Sequence, residues 1–512
     1  MQVSKKSCTF AAIFMCRNVY KRVRDILFVL FVLLFGGTLT GFTGTTVRAQ
    51  ASQQPGVYGN EFWLGFLSNN SIPPDDRSLK LSVYAVAEEA MTINVVQGTT
   101  GNLLGQITIP AGGGMGFVES IMPNAVYPTP DESESTTQRG VRIYATEKAK
   151  RFTCYAVSET GGSSAGSTRD ATILLPTEQL GSEYFVQTYP DDGVATEFVV
   201  VATEDNTDVT IVPTCVTYGN AQPGQPITIY GMSRGQTYQV KSAKKDEYVM
   251  TMDLSGSSVY ATKPVAVFNG NESTKIPDRG AYSPNHTFEQ VIPQTMWGKE
   301  FYVSLADGTK RNMVQVTASI DGTVVTVTGP GLSMAPVTLD RGESLSSPIL
   351  LLGATTNVKI TATQPVVCYH YLTCGAANQQ EQGADLLDWG NPTNALVVPW
   401  SHRTKKMSFY TATLTNQNTT AQQKYFVQVV TRSADKGTFT LDGNPVASSL
   451  FKNFGADDNK AYASIPIATQ DVKHRLETSG AGFVGYVYGM TSEAYYFYTY
   501  KIVFLRVGVN AP

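Results

Sequence analysis

Apolar and polar side chains alternate along most of the chain after residue 55. The alternation is clearest at residues 79–86, 196–202, 314–318 and 425–430. A period of two in segments rich in Val, Thr, Tyr and Ile predicts half-buried β-strands, and short turn sequences such as Asp321-Gly322 separate them. Only residues 381–389 have a pattern compatible with a short helix. The sequence therefore predicts an all-β protein.

A five-residue motif recurs along the chain. It reads Gly-x-Glu-aromatic-aromatic and occupies residues 59–63, 181–185 and 298–302, with a weaker copy at 407–410. A proline precedes each copy, at Pro55, Pro176, Pro293 and Pro399. A second landmark, Ile/Val-Tyr/Thr-Ala-Thr, stands at 143–146, 259–262 and 360–363 and leads each time into an apolar strand. Landmarks at this spacing predict about four copies of one unit.

A unit of roughly 105–120 residues with about seven strands matches a β-sandwich. We expect tandem, tightly packed sandwich-like repeats at 55–165, 171–285, 288–390 and 394–505, because no polar linker separates the copies. The alternative is that the same repeats stand around an axis as a propeller-like assembly.

The first 49 residues follow the order of a secretory signal peptide. Six basic residues and no acid lie within 1–24, ten apolar residues follow at 26–35, and small residues lead to Ala49. This order predicts cleavage between Ala49 and Gln50, and a start at Met15 would preserve it. An uncleaved anchor reaching Phe42 is the alternative, although ten apolar residues are short of the ~20 that span a bilayer. We expect an exported protein, secreted or on the cell surface or in the periplasm, with no membrane span after signal removal.

Charge and cysteine content narrow the class of protein. The chain has 39 Lys and Arg against 42 Asp and Glu, so we expect no nucleic-acid partner. Four cysteines follow the predicted cleavage point: Cys154, Cys215, Cys368 and Cys374. Export permits disulfides, but Cys368 and Cys374 would lie ~20 Å apart on a straight strand. Buried free thiols are slightly favoured, and disulfide bonds are the alternative.

Patterns typical of enzymes lack their usual context. The Gly-x-Ser-x-Gly match around Ser164 lies in a Gly/Ser-rich loop instead of a strand–turn–helix, and the four histidines show no metal-ligand spacing. We predict no catalytic residue, no metal ligand and no cofactor. Calcium bound at the acidic turns near Asp191, Asp205 and Asp457 is the alternative.

Trp389 is the best candidate for an exposed binding residue. It lies with Asp385 and Asp388 in a turn-rich segment outside the repeat pattern, and interface anchors favour Trp on loops. The insertions at 127–140 and 271–285, where the copies differ, are further candidates.

At these landmarks the sequence resembles the amino-terminal domain of the IgG Fc-binding protein family. The resemblance is carried by residues 59–66, by 261–268 and by the Gly- and Tyr-rich end at 481–500, and it covers about 55–505. The family occurs in a large mucus-associated animal protein and in many secreted bacterial proteins. It implies an extracellular, non-enzymatic binding role, with immunoglobulin Fc among the partners it suggests.

Three functions follow as hypotheses. The first is a binding or adhesion protein that presents loops to a host protein, such as immunoglobulin Fc, or to a glycan. The second is an architectural envelope protein that associates with itself or with another envelope component. The third is an enzyme acting on extracellular polymers, which requires two carboxylates, or a Ser and a His, converging in one cleft.

Overall fold

A computed structural model describes residues 57–69, 73–119, 121–129, 132–160, 168–189, 194–243, 253–276, 284–304, 311–345, 349–352, 357–372, 392–411, 422–457, 459–468 and 472–492. Antiparallel β-strands make up nearly all of the regular structure in these residues. The strands form several sheets that pack as sandwich-like repeats, which confirms the predicted fold class.

The first repeat is a sandwich of two sheets. Its strands are β1 (Tyr58–Gly59), β2 (Glu61–Leu64), β3 (Leu79–Ala87), β4 (Met91–Gln97), β5 (Leu103–Ile109), β6 (Gly114–Val118), β7 (Thr136–Thr137), β8 (Val141–Ala145), β9 (Phe152–Thr160) and β10 (Thr168–Ile173), with one short helix, α1 (Pro123–Val126). One sheet has the order β2-β8-β4-β5 and the other β1-β9-β3-β6, with β10 on β9. Leu81 and Val83 of β3 share a buried core with Ile93 and Val95 of β4.

The second repeat is built on one continuous sheet. Its strands are β11 (Gly181–Phe185), β12 (Thr196–Ala202), β13 (Thr207–Val212), β14 (Ile227–Met232), β15 (Thr237–Lys241), β16 (Ser258–Thr274) and β17 (Asn285–Gln290), after a 3₁₀ turn at Thr177–Gln179. The sheet runs β14-β13-β16-β12-β15-β7, with β11 and β17 also on β16.

In the third and fourth repeats, as in the second, a 3₁₀ turn precedes the first strand. The third has a 3₁₀ turn (Gln294–Met296) and the strands β18 (Gly298–Val303), β19 (Arg311–Ala318), β20 (Thr323–Gly329), β21 (Leu332–Ser333), β22 (Val337–Leu339), β23 (Ile349–Leu352), β24 (Val358–Leu372) and β25 (Thr393–Leu396). The fourth has 3₁₀ turns at Trp400–His402, Ser433–Asp435 and Ser448–Leu450, and the strands β26 (Lys406–Thr411), β27 (Gln422–Arg432), β28 (Phe439–Leu441), β29 (Asn444–Pro445), β30 (Lys452–Asn453), β31 (Lys460–Ile467), β32 (Val472–Thr478) and β33 (Phe483–Ser492).

In the second and third repeats one long strand connects the two layers of the sandwich. In β16 the residues up to Ala261 pair with β13, and those from Val265 onward pair with β12. Pro264 lies at the crossing, where no ladder hydrogen bond from its nitrogen is needed. Strand β24 crosses in the same way, with Pro365 at this position. In the first and fourth repeats the crossing strand is divided, as β8/β9 and β32/β33. The second sequence landmark is the segment that ends at this crossing.

The motif glycines and the recurring prolines are the joints between successive repeats. A Cβ atom placed on the motif glycine would lie 2.2–2.5 Å from the proline Cβ of the next repeat, in the pairs Gly59–Pro176, Gly181–Pro293 and Gly298–Pro399. Such a distance is too short for any side chain. The glycine therefore recurs because the next repeat packs directly on its backbone.

Side chains also connect neighbouring repeats where β10, β17 and β25 come together. Asn285 accepts a hydrogen bond from the Arg169 N–H at 2.9 Å and donates to the Arg169 carbonyl at 3.0 Å. The buried Asp170 accepts from the Phe288 N–H at 2.7 Å and lies 3.3 Å from Thr393 Oγ1. Each of these strands pairs with the crossing strand that precedes it in the chain. The predicted boundaries at 171, 288 and 394 fall within these shared segments and stay predictions.

The first and fourth repeats also meet. Glu88 Oε2 lies 3.0 Å from Lys473 Nζ, and Ser408 donates to Glu88 Oε1 at 2.6 Å. One buried apolar cluster contains side chains of all four repeats, among them Val86 and Phe409. The repeats therefore approach a closed ring, which loosely fits the alternative arrangement around an axis.

Three of the cysteines that follow the predicted cleavage point lie in described residues. Cys154, Cys215 and Cys368 are buried free thiols, and Cys374 lies outside the described residues. The expectation of free thiols is confirmed for these three. In the part of the chain that the structure describes, no helix is long and apolar enough to cross a membrane.

Candidate functional site: repeated carboxylate–cation–aromatic clusters

Each motif glutamate lies opposite a residue of the second sequence landmark on the neighbouring strand, and it forms an ion pair with a basic residue. The opposed pairs are Glu61 and Tyr144, Glu183 and Tyr260, and Glu300 and Thr361. The basic partners are Arg142, Arg341 and Lys359, in that order. The two sequence landmarks thus build one kind of cluster, which we call the carboxylate–cation cluster, in three of the repeats.

In the first repeat Arg142 lies over two aromatic rings. Its guanidinium carbon is 4.5 Å from the centre of the Tyr144 ring and 5.9 Å from that of Trp63. The same guanidinium forms an ion pair with Glu61, whose Oε1 accepts from Trp63 Nε1 at 3.1 Å. The Arg142 side chain is 29% exposed. A binding partner would therefore meet a cation whose orientation is already fixed.

The second cluster spans two repeats. Arg341 of the third repeat forms an ion pair with Glu183 of the second. Its guanidinium carbon lies 5.2 Å from the Phe185 ring centre and 5.4 Å from that of Tyr260. This cluster therefore also stabilises the joint between the two repeats.

The third cluster is centred on Tyr302 and extends into the fourth repeat. The Tyr302 hydroxyl is 2.9 Å from Asp457 Oδ2, which also accepts a hydrogen bond from Lys359 Nζ at 2.9 Å. Lys460 Nζ lies 4.8 Å from the Tyr302 ring centre and 4.7 Å from that of Trp400. Although burial opposes the shift, the hydrogen bonds, that from Lys359 foremost, hold the pKa of Asp457 at about 2. This carboxylate is thus charged at physiological pH.

Polar residues continue from two of these clusters across the outer face of the sheet. In the first repeat Gln106 Nε2 donates to Asn94 Oδ1 at 2.9 Å, and Asn94 Nδ2 is 3.4 Å from the Tyr144 hydroxyl. The equivalent row in the second repeat is Thr228, Thr210 and Tyr260. Residues of both rows are partly or fully exposed, so related positions carry different chemistry in different repeats.

The charged members of these clusters are partly exposed, whereas Trp63, Phe185, Tyr302 and Trp400 are buried. Arg and Tyr, the residue types at the partly exposed positions 142 and 144, are enriched at protein interfaces. The cations are paired with carboxylates, so each cluster is close to neutral. These surfaces therefore carry little net charge.

One set of side chains has the order of a nucleophile, base and acid. Thr411 Oγ1 lies 3.2 Å from His474 Nε2, and His474 Nδ1 lies 2.7 Å from Asp442 Oδ2. However, Thr411 is 1% exposed, whereas a nucleophile needs open space on the side of the substrate. We interpret the set as a structural link between β26, β32 and the turn after β28.

The predicted binding residues Trp389, Asp385 and Asp388 lie outside the described residues, and so do Ala49 and Gln50. They stay predictions. Most of the insertion at 127–140 is described, and it packs on the second repeat. Thr136 and Thr137 pair with β15, and the Gly219 N–H donates to Glu134 Oε1 at 3.1 Å. This insertion extends a sheet of the scaffold.

Of the acidic turns that suggested calcium, those at Asp205 and Asp457 make protein contacts, and Asp191 lies outside the described residues. Asp205 Oδ1 accepts from the Arg234 N–H at 2.9 Å, and Asp457 is bonded to Lys359 as described above. Across the described ranges no group of three or more His, Cys, Asp or Glu side chains is arranged to hold a metal ion.

Three of the Asn-x-Ser/Thr sequences have buried asparagines. Asn69 and Asn271 are 0% exposed and Asn285 is 1% exposed. The Asn271 side chain brackets the Tyr189 backbone, donating to its carbonyl at 2.6 Å and accepting from its N–H at 3.3 Å. These asparagines belong to buried hydrogen-bond networks within the repeats and, at Asn285, between them, so a glycan on them would require the fold to open.

Sequence patterns alone do not reveal the cations of the clusters. A signal exists for two of them, because Arg142 and Lys359 occupy the same place in Val-basic-Ile sequences at 141–143 and 358–360. Arg341 comes from a different repeat than its glutamate, so no local pattern marks it.

The fold and these recurring, partly exposed clusters define a β-repeat scaffold. Residues 170–489 match the family described as IgGFc binding protein, and this is more than half of the chain. The chain belongs to this family. Over 425 residues it is 24% identical to the human (Homo sapiens) protein named IgGFc-binding protein, an alignment that covers 82% of this chain and 7% of the human protein. The chain thus spans a small part of that relative's length. No solved structure matches the chain.

Proposed function

We propose that this protein is an exported, non-enzymatic binding protein that holds an extracellular protein partner on a rigid scaffold of four β-repeats. The observation that carries the proposal is the family match across residues 170–489. The name of the human relative makes immunoglobulin Fc the first partner to test. The order of residues 1–49 supports export.

The structure suggests where a partner would bind. Arg142 and its neighbour Tyr144 form an oriented, partly exposed pair beside the buried Trp63, and interface energy is concentrated in Arg and Tyr anchors of this kind. The adjacent row of Asn94 and Gln106 supplies amide groups that can pair with a partner's backbone.

The experiment measures binding of purified residues 50–512 to immobilised Fc, with Fab and a glycan array as controls. Saturable binding to Fc and not to Fab supports the proposal. Binding only to glycans would replace the protein partner by a carbohydrate, and no binding to any of the three surfaces would refute the proposal as stated.

A matched pair of variants tests the site. Arg142→Ala should weaken partner binding about thirtyfold or more, because loss of an anchor residue costs ~2 kcal/mol or more. Lys148→Ala removes an exposed basic residue nearby and should leave binding unchanged. Equal affinity of the two variants would place the partner elsewhere on the scaffold.

A further inference from the structure

In two of the repeats, one member of the carboxylate–cation cluster comes from another repeat. In the first and third repeats the cation, Arg142 or Lys359, lies on the strand that pairs with the motif strand. At the equivalent position the second repeat has Ser258. The cation of its cluster, Arg341, comes from the third repeat.

The fourth repeat has the cation on its own strands and a serine in place of the carboxylate. Its copy of the motif lies on β26, where Ser408 occupies the place of the glutamate. The pairing of β26 with β32 brings Lys473 to the place that Arg142 and Lys359 occupy in their repeats. A carboxylate from elsewhere would therefore complete a fourth cluster.

Glu88 of the first repeat occupies this place. Its Oε1 accepts a hydrogen bond from Ser408 at 2.6 Å, and its Oε2 lies 3.0 Å from Lys473 Nζ. Burial opposes the shift, but the hydrogen bonds from Ser408 and Lys473 and the charges of Lys473 and Lys406 hold the pKa of Glu88 below its ordinary value. Lys406 stands where the other copies of the motif have the joint glycine. The fourth repeat thus presents two cations to one carboxylate.

Glu88 and Arg341 come from the same corner of their repeats. Strands β3 and β4 pair with β9 and β8, as β19 and β20 pair with the later and earlier parts of β24. Glu88 lies in the turn between β3 and β4. The equivalent turn between β19 and β20 contains Asp321, whose Oδ1 accepts from the Arg341 N–H at 2.8 Å. The first repeat therefore approaches the fourth as the third approaches the second, with the charges exchanged.

We propose that Glu88 and Lys473 select the first repeat as the neighbour of the fourth and so close the ring within one chain. If the first repeat docked on the second, Glu88 would face the carboxylate of Glu183. If the third repeat docked on the fourth, Arg341 would face Lys473. Like charges brought together at a contact are costly, so both wrong pairings are disfavoured.

The charge pair acts together with apolar contacts between the same two repeats. Val86 and Phe409, which lie two residues or fewer from Glu88 and Ser408 in the chain, belong to the central buried cluster. The side chains of Lys473 and Glu88 are 21% and 30% exposed, and a partly exposed ion pair adds little to stability. The pair therefore determines which repeat docks more than how tightly it docks. This inference does not depend on the identity of any binding partner.

Charge reversal in residues 50–512 tests the proposal by urea unfolding. Glu88→Lys and Lys473→Glu each bring like charges together and should each lower the folding equilibrium constant about fivefold or more. The double variant restores opposite charges and should recover most of this loss. Glu89→Lys is the matched control, because Glu89 is the exposed neighbour of Glu88 in the same turn, and it should have little effect.

Two results of this cycle would overturn the proposal: losses that simply add in the double variant, or equal losses for Glu88→Lys and Glu89→Lys. Sedimentation of an equimolar mixture of the two single variants tests closure within one chain. The mixture should sediment as each variant does alone. A dimer formed only in the mixture would show that Glu88 pairs with Lys473 of a second copy, and closure within one chain would be wrong.

Discussion

Glu197 is a buried carboxylate between the first and second repeats. It is 0% exposed, and its Oε2 accepts a hydrogen bond from Gln239 at 2.5 Å. Lys241 Nζ lies 3.9 Å away but is bonded more closely to a second buried carboxylate, that of Glu272. Burial raises the pKa of the nearby Tyr127 phenol, and the charges of both carboxylates add to the rise. Two carboxylates therefore share one ammonium group in a site from which water is excluded.

Burial raises the pKa of Glu197 from 4.5 to about 8 despite the opposing charge of Lys241, and Glu272 adds to the rise. The folded state therefore holds this proton more tightly than the unfolded state does. The associated stability is complete below about pH 4.5 and is lost progressively as the pH rises to about 8. A shift of three to four units corresponds to at most about 5 kcal/mol.

Glu197→Gln removes the titrating group and keeps the shape of the side chain. We expect the variant to unfold at higher urea concentration than the unmodified chain at pH 8, by a free energy of between about 1 and 5 kcal/mol. At pH 5 the difference should nearly vanish, because Glu197 is already protonated there in the folded state. The measurement is urea unfolding at intervals from pH 5 to pH 9.

A control variant separates this effect from a general loss of charge. Glu272→Gln removes the closer partner of Lys241 and should destabilise the chain, because it leaves a buried ammonium with one distant carboxylate. If Glu197→Gln kept the pH dependence of the unmodified chain, the assignment of that pH dependence to Glu197 would be refuted.

Three further predictions concern the joints, the sequons and the thiols. Gly181→Ala should destabilise the chain by roughly 1–3 kcal/mol in urea unfolding because its Cβ would meet Pro293, while Gly437→Ala, which meets no atom within 4 Å, should not. When the chain is exported from a glycosylating host, peptide mass spectrometry should find no glycan on the three buried asparagines, and a glycan on any of them in folded protein would contradict the packing described here. Burial raises the pKa of the Cys154 and Cys368 thiols, so both should react with a thiol reagent only after denaturation, and rapid labelling of the folded chain would show that they are accessible.

The repeat structure is visible in the sequence because each joint requires a special residue. At the three described joints a proline lies at the turn that enters the next repeat, and the glycine of the preceding repeat has no room for a side chain. Two such constraints, recurring together, mark a repeat even where the other residues have diverged. The alternation of apolar and polar positions then predicts strands between them.

The clusters are harder to predict because they depend on which strands become neighbours. Glu183 and Arg341 are 158 residues apart in the chain and meet because the second and third repeats pack side by side. The same holds for Glu88 and Lys473, which belong to the first and last repeats. No local pattern encodes a contact of this range.

The residues that recur among the repeats are largely used in contacts within the chain. The motif glycine contacts the next repeat, and the motif glutamate binds a cation of the same or the following repeat. A family match based on such residues therefore reports the scaffold. The proposed binding function therefore predicts that selectivity lies where equivalent exposed positions differ, as Asn94 does from Thr210. Two members of the family can thus share the fold and bind different partners, which is why Fc binding by this chain has to be measured.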